Sequence, residues 1–112
     1  MKRIHLGELE ELILLMVAIL NGEAYGVRVM EELGEKANRS VNISAIHASL
    51  RRLQEKGFVE SDWSEASAQR GGRRKRLFTI TAAGMRALET VRSTRDQLWG
   101  MMPGTSPQLS FS

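Results

Sequence analysis

The sequence predicts a mainly α fold with one small β-hairpin. Apolar residues recur at helical spacing in three successive segments up to Leu53, strand-like runs take over after Gly57, and a capped fourth helix follows Thr81. At 112 residues the chain suits one compact domain. Its 42% apolar and 26% charged residues suffice for an ordinary soluble core and surface.

In the first helix Leu9, Leu12, Ile13, Met16 and Leu20 fall on one stripe, and Leu15 and Ile19 widen it. This helix is therefore expected to pack on two sides and to end at Asn21-Gly22. A second helix presents Gly26, Val29, Met30, Leu33 and Ala37 on one face, with Glu31, Glu32 and Lys36 outside. Asn38-Arg39-Ser40 makes the next break. Asn42 then caps a third helix, because its side chain can accept an unpaired first-turn N–H. Ile43, Ile46, Leu50 and Leu53 give that helix one buried stripe, and Gly57 stands where a left-handed C-cap is wanted. Its opposite face shows Ser44, His47, Ala48, Arg51 and Arg52, with no acid until Glu55.

Phe58 to Trp63 and Arg76 to Ile80 read as two short strands. The polar stretch from Ser64 to Lys75, with Gly71-Gly72, is the loop between them. Thr81 caps the fourth helix, with Ile80 and Met85 placed as a hydrophobic staple. That helix carries Leu88, Val91, Leu98, Trp99 and Met102 around a polar stretch from Arg92 to Gln97. The predicted organisation is a winged helix-turn-helix unit over residues 1–82, a last helix over 83–102 and a flexible tail over 103–112. Three helices followed by a basic hairpin describe a winged helix-turn-helix.

Composition narrows the function. The absence of cysteine removes disulfides, thiolate zinc sites and a cysteine nucleophile together, and it fits a cytoplasmic protein. The apolar run Leu12 to Leu20 is too short to cross a bilayer, and early glutamates at 8, 10 and 11 argue against a signal peptide. Lone His5 and His47 make no metal site. No phosphate-binding glycine loop and no nucleophile–base pair is present, so no cofactor is expected and the chain does not read as an enzyme.

The net charge of +3 is mild, but its distribution is informative. Residues 1–40 carry five Lys/Arg against seven Glu, and residues 41–82 carry eight against four Asp/Glu. Arg70, Arg73, Arg74, Lys75 and Arg76 alone supply five of the sixteen cations. A charge run is often only a solvated loop; directly after a candidate recognition helix it reads as a contact to double-stranded DNA. On the helix itself, small Ser44 and Ala48 permit close approach, while His47, Arg51 and Arg52 can meet base edges or phosphates. Tyr25 reads as packing at a helix start and Trp63 as a cap on the small core. Trp99 reads as dimer packing, with stacking on an aromatic ligand as the minor option. Leu9, Leu88, Val91, Leu98, Trp99 and Met102 are the candidate homodimer interface, since a core this small offers the last helix's apolar edge no obvious home.

Four segments also carry a family resemblance. Leu6-Gly7 opens the first helix, Ala24-Tyr25-Gly26-Val27 the second, Leu50 to Val59 leads from the third helix into the hairpin, and Gly72 to Gly84 runs from the hairpin into the last helix. In this order they resemble the PadR family of transcriptional regulators, in its short form with a single C-terminal helix. The resemblance implies a homodimer formed through that helix, binding a palindromic operator and usually repressing. Some relatives respond to small aromatic or phenolic effectors, so such an effector stays open here. The family's Ser-x-Gly-x-x-Tyr entry to the recognition helix is replaced by Asn42, Ser44 and His47. A competing reading is a winged-helix interaction module whose basic hairpin grips an acidic protein partner.

Overall fold

The computed structural model of the chain describes residues 5–64 and 74–104. The elements run α1 (Glu8–Leu20), α2 (Gly26–Lys36), α3 (Ile43–Glu55), β1 (Val59–Trp63), β2 (Arg76–Ile80) and α4 (Ala82–Met101). This is the expected order. Most of the loop between the strands, and the expected tail beyond Gly104, lie outside the described residues.

The sequence signals act where they were read. Asn42 Oδ1 accepts the Ala45 N–H at 2.8 Å, and Thr81 Oγ1 accepts that of Gly84 at 3.0 Å. At the end of α3 the Phe58 N–H reaches the Leu53 carbonyl and the Gly57 N–H that of Gln54, with Gly57 at φ 81°. This paired closure satisfies two terminal carbonyls and turns the chain directly into β1.

One core holds the elements together. Ile13, Leu14 and Val17 of α1 meet Val29 and Leu33 of α2 and Ile46, Leu50 and Leu53 of α3. Val59 and Phe78 bring in the hairpin, and Leu88 brings in α4. Each aliphatic side chain taken fully from water contributes about 1.5–3 kcal/mol. The strands pair antiparallel with Val59 opposite Ile80, Ser61 opposite Phe78 and Trp63 opposite Arg76. The Phe78 N–H also donates to the Ala24 carbonyl at 2.8 Å, so the segment before α2 adds an isolated bridge on the outer edge of β2. That bridge fixes the hairpin to the helix-turn-helix.

The packing departs from the sequence reading at several residues. Leu88 was assigned to a dimer interface, yet it completes the core of this chain, and Leu9 packs against the same core. Trp63 does not cap the core; it is 53% exposed, because Ser61 and Phe78 already close that end of the hairpin. Ala37 lies past the last turn of α2 and is exposed. The second apolar side expected of α1 exists, but within one chain Leu15 and Ile19 stay open. Among α4 residues only Gly84, Ala87 and Leu88 are buried, so the helix leaves the core after two turns. Gly84 permits the close packing of those first turns: a Cβ there would collide with the Phe58 carbonyl oxygen.

Candidate nucleic-acid interface

The third helix is held from below and open above. Ile46, Ser49, Leu50 and Leu53 are buried, whereas Ser44, His47 and Arg51 are exposed and Ala48 is half-buried between them. A helix repeats every 3.6 residues, so Ser44, Ala48 and Arg51 share the face away from the core. His47 stands at the edge of that face. Its ring lies over Gly26, the first residue of α2, where a Cβ would come within 2.6 Å of Cε1. Gly26 therefore allows the two helices of the motif to close on each other around this imidazole.

Arg52 faces another way. Its Nε donates to Glu10 Oε2 at 3.3 Å and its Nη2 to Ser49 Oγ at 3.1 Å, which ties it to α1. The side chain stays 53% exposed while it bridges to the buried acid on the flank of α3. Glu10 sits there with 6% exposure. It accepts from Lys56 Nζ at 2.9 Å and from the Gly7 N–H at 2.8 Å. Burial alone would raise its pKa, but the hydrogen bond from Lys56, the Gly7 N–H and Arg52 together hold it below the usual carboxylate value.

Sequence reasoning passed over Glu10, although a signal existed. Glu10 precedes Ile13, Leu14 and Val17 by three, four and seven residues, so it shares their buried stripe. Its neighbours in the first turn reach further elements. Glu8 forms a two-pronged pair with Arg39 at 2.8 and 2.9 Å, and Glu11 accepts from Arg95 of α4 at 2.9 Å. One turn of α1 thus anchors the α2–α3 loop, α3 and α4.

The basic hairpin divides into different roles. Lys75 places its ammonium 3.8 Å from the centre of the Tyr25 ring, joining the hairpin base to the start of α2. Arg76 donates from Nε to Ser61 Oγ at 3.0 Å and stacks its guanidinium 5.1 Å from the Trp63 ring centre. Arg74 is exposed at the near end of the loop. Arg70 and Arg73, the other two expected contacts, lie outside the described residues.

The candidate dimer residues lie away from this surface. Val91 is half-buried, while Leu98 is 58% and Trp99 66% exposed. Met102 stands just past the end of α4. Between α1 and α4 runs an apolar groove of about 610 Å³ lined by Leu15, Ile19, Met85, Leu88 and Trp99, with Glu11 and Arg95 among its polar residues. Among the described residues no cluster of acidic or histidine side chains could hold a metal ion, and no helix is long and apolar enough to cross a membrane.

Solved structures share this arrangement. A PadR-like transcription factor from Bacteroides fragilis is 26% identical, with a TM-score of 0.67 over 80% of this chain and 82% of that one. A PadR family transcription regulator from hypervirulent Clostridium difficile shares the fold at 21% identity and TM-score 0.70, over 86% of this chain and 95% of that one. Bacillus subtilis PadR, solved in complex with operator DNA, shares it at 22% identity and TM-score 0.62. That match covers 89% of this chain and 50% of the Bacillus protein. No curated protein matches the sequence. The sequence model of the transcriptional regulator PadR-like family matches residues 14–90, a span from α1 into α4 that includes the whole helix-turn-helix and hairpin. The chain belongs to the PadR-like family of transcriptional regulators, a family of regulators and not of enzymes.

Proposed function

We propose that this chain is a sequence-specific DNA-binding repressor that acts as a homodimer on a palindromic operator. The observation that carries the reading is the third helix, whose stripe of Ile46, Leu50 and Leu53 is locked into the core while Ser44, His47 and Arg51 stand exposed on its outer side. A rigidly seated helix with a small, polar and cationic outer face suits the major groove, where donors and acceptors on base edges differ for every base pair. The capture of Bacillus subtilis PadR on operator DNA supports the same use of the fold here.

In this reading Arg74 and the neighbouring cations of the hairpin loop contribute sequence-independent phosphate contacts. Dimerisation uses the open groove between α1 and α4. A second copy of the chain would cover Leu15, Ile19 and Trp99, and it would supply the packing that the outer turns of α4 do not find in one chain. Two symmetric recognition helices would then sit about 34 Å apart, one DNA turn, or a multiple of it.

The test is a gel shift on the DNA upstream of the chain's own gene, with excess random competitor, joined to a transcription assay from that promoter. A shift that survives competitor and a fall in transcript are expected. Binding lost to competitor at every salt concentration would remove sequence-specific recognition, and a rise in transcript would replace repression by activation.

A further inference from the structure

The hairpin has two chemically different faces. Glu60 and Asp62 alternate onto one, and Val59, Ser61 and Trp63 onto the other, opposite Ile80, Phe78 and Arg76 of β2. Val59 and Phe78 bury the near part of the second face in the core. Its far part emerges as Trp63, 53% exposed, stacked with Arg76. Ser61 Oγ accepts from Arg76 Nε at 3.0 Å and donates to Gln54 Oε1 of α3 at 3.3 Å. Through Ser61 the Trp63–Arg76 pair is linked to Gln54, near the C-terminal end of α3, and the neighbouring Asp62 turns its carboxylate onto the Trp63 backbone N–H at 2.8 Å. With Nε committed to Ser61, the Nη groups of Arg76 and the indole N–H of Trp63 have no hydrogen-bond partner among the described residues.

We propose that Trp63 and Arg76 together form a DNA-backbone contact, with the guanidinium on a phosphate and the indole N–H donating to an adjacent backbone oxygen. The inference rests on the DNA-binding reading and adds Trp63, with Ser61 as the residue that positions Arg76. The chemistry favours a polyanion: two donors, one of them charged, stand side by side on one face of the hairpin, while the Asp62 carboxylate is taken up by the Trp63 backbone N–H and Glu60 alternates onto the opposite face. Stacking on the indole holds the guanidinium plane, so less side-chain freedom is lost when a phosphate arrives. Such a contact fixes the register of the helix in the groove without reading sequence.

The experiment uses the full chain labelled with 15N and a random-sequence duplex at low salt. The chain's two tryptophans give two indole N–H signals, and Trp63→Phe identifies one of them. The Trp63 signal is expected to shift on titration. Trp63→Ala should weaken duplex binding about tenfold, as expected for loss of a hydrogen bond to a charged group. Trp63→Phe keeps a ring for Arg76 and should lose less, and it carries the test if the alanine variant does not fold. A duplex that binds while the Trp63 signal stays still and Trp63→Phe binds as tightly as the unmodified chain overturns this contact alone. Failure of the unmodified chain to bind any duplex overturns the DNA-binding reading and this contact with it.

Discussion

The imidazole of His47 fills the space beside Gly26 so closely that a Cβ on that glycine would lie 2.6 Å from Cε1 and 3.1 Å from Nε2. A side chain at the edge of the outer face of α3 is thus also the spacer between α2 and α3. Its ring is placed against the first residue of α2 while the side chain stays exposed.

Gly26→Ala should therefore destabilise the fold by about 1 kcal/mol, the low end of the cost of overfilling, because the opposing imidazole is exposed and can shift. The same substitution in a His47→Ala background should cost almost nothing, because the opposing ring is gone. Urea unfolding of the four chains measures the coupling directly. A coupling energy near zero would mean that the ring moves aside freely and restrains nothing.

Glu10 yields a pH-dependent prediction. Its folded pKa is lowered, so its ion pairs stabilise the fold above the ordinary carboxylate value of 4.5, and this contribution is lost as pH falls through the lowered folded value. Glu10→Gln should cost about 1–2 kcal/mol at neutral pH, toward the low end because Arg52 and Lys56 are partly exposed. The gap between the two proteins should close in strong acid. A gap that stays constant from pH 7 to about pH 2 would assign the loss to packing and not to charge.

The features legible in the sequence are those fixed by local spacing. Asn42, Gly57 and Thr81 end or begin helices through bonds to residues three to five positions away, and the strand limits follow from the same turns. Residues whose role depends on distant partners were only partly legible. Arg52 is solvent-facing, as the wheel of α3 has it, but the partner it also holds, Glu10, lies 42 positions earlier. Trp63 looks like core material by type, and only the register with Arg76 shows that the hairpin outruns the core at that point. Leu88 looked unpartnered because the core was expected to be too small to take the apolar edge of α4, whereas Gly84 lets the first turns of that helix pack closely.

On the outer face of α3, Arg51 is exposed and appears in no ion pair among the described residues, unlike Arg52. Arg51→Ala should cost about 1–3 kcal/mol on the cognate site and far less on random DNA. His47→Ala should show the same selectivity together with a stability change from its contact with Gly26. The quantity to measure is the ratio of specific to non-specific affinity at one fixed salt concentration. A ratio unchanged in both variants would make α3 a phosphate clamp and would move sequence reading to the hairpin or to DNA shape.

The last prediction concerns assembly. Leu15 is 41%, Ile19 63%, Leu98 58% and Trp99 66% exposed, and these residues belong to the two helices that flank the groove. Leaving them in water forgoes burial worth about 25 cal/mol for each Å² of apolar surface, and the proposed two-fold pairing of α1 and α4 would recover it. Leu98 lies far along α4 from Leu88, the last residue of that helix in the core, so Leu98→Asp leaves the monomer core untouched. Placed in a self-complementary interface, however, each aspartate appears twice, and a desolvated unpaired charge is costly. The unmodified chain should sediment as a dimer at micromolar concentration, and Leu98→Asp should raise its dissociation constant at least about tenfold, equivalent to about 1.4 kcal/mol. Far-UV circular dichroism should change little apart from fraying of the outer turns of α4. Operator affinity should fall with dimerisation, since a monomer holds only one half-site. An unmodified chain that sediments as a stable monomer would leave the groove without its second copy and the palindrome without a reader.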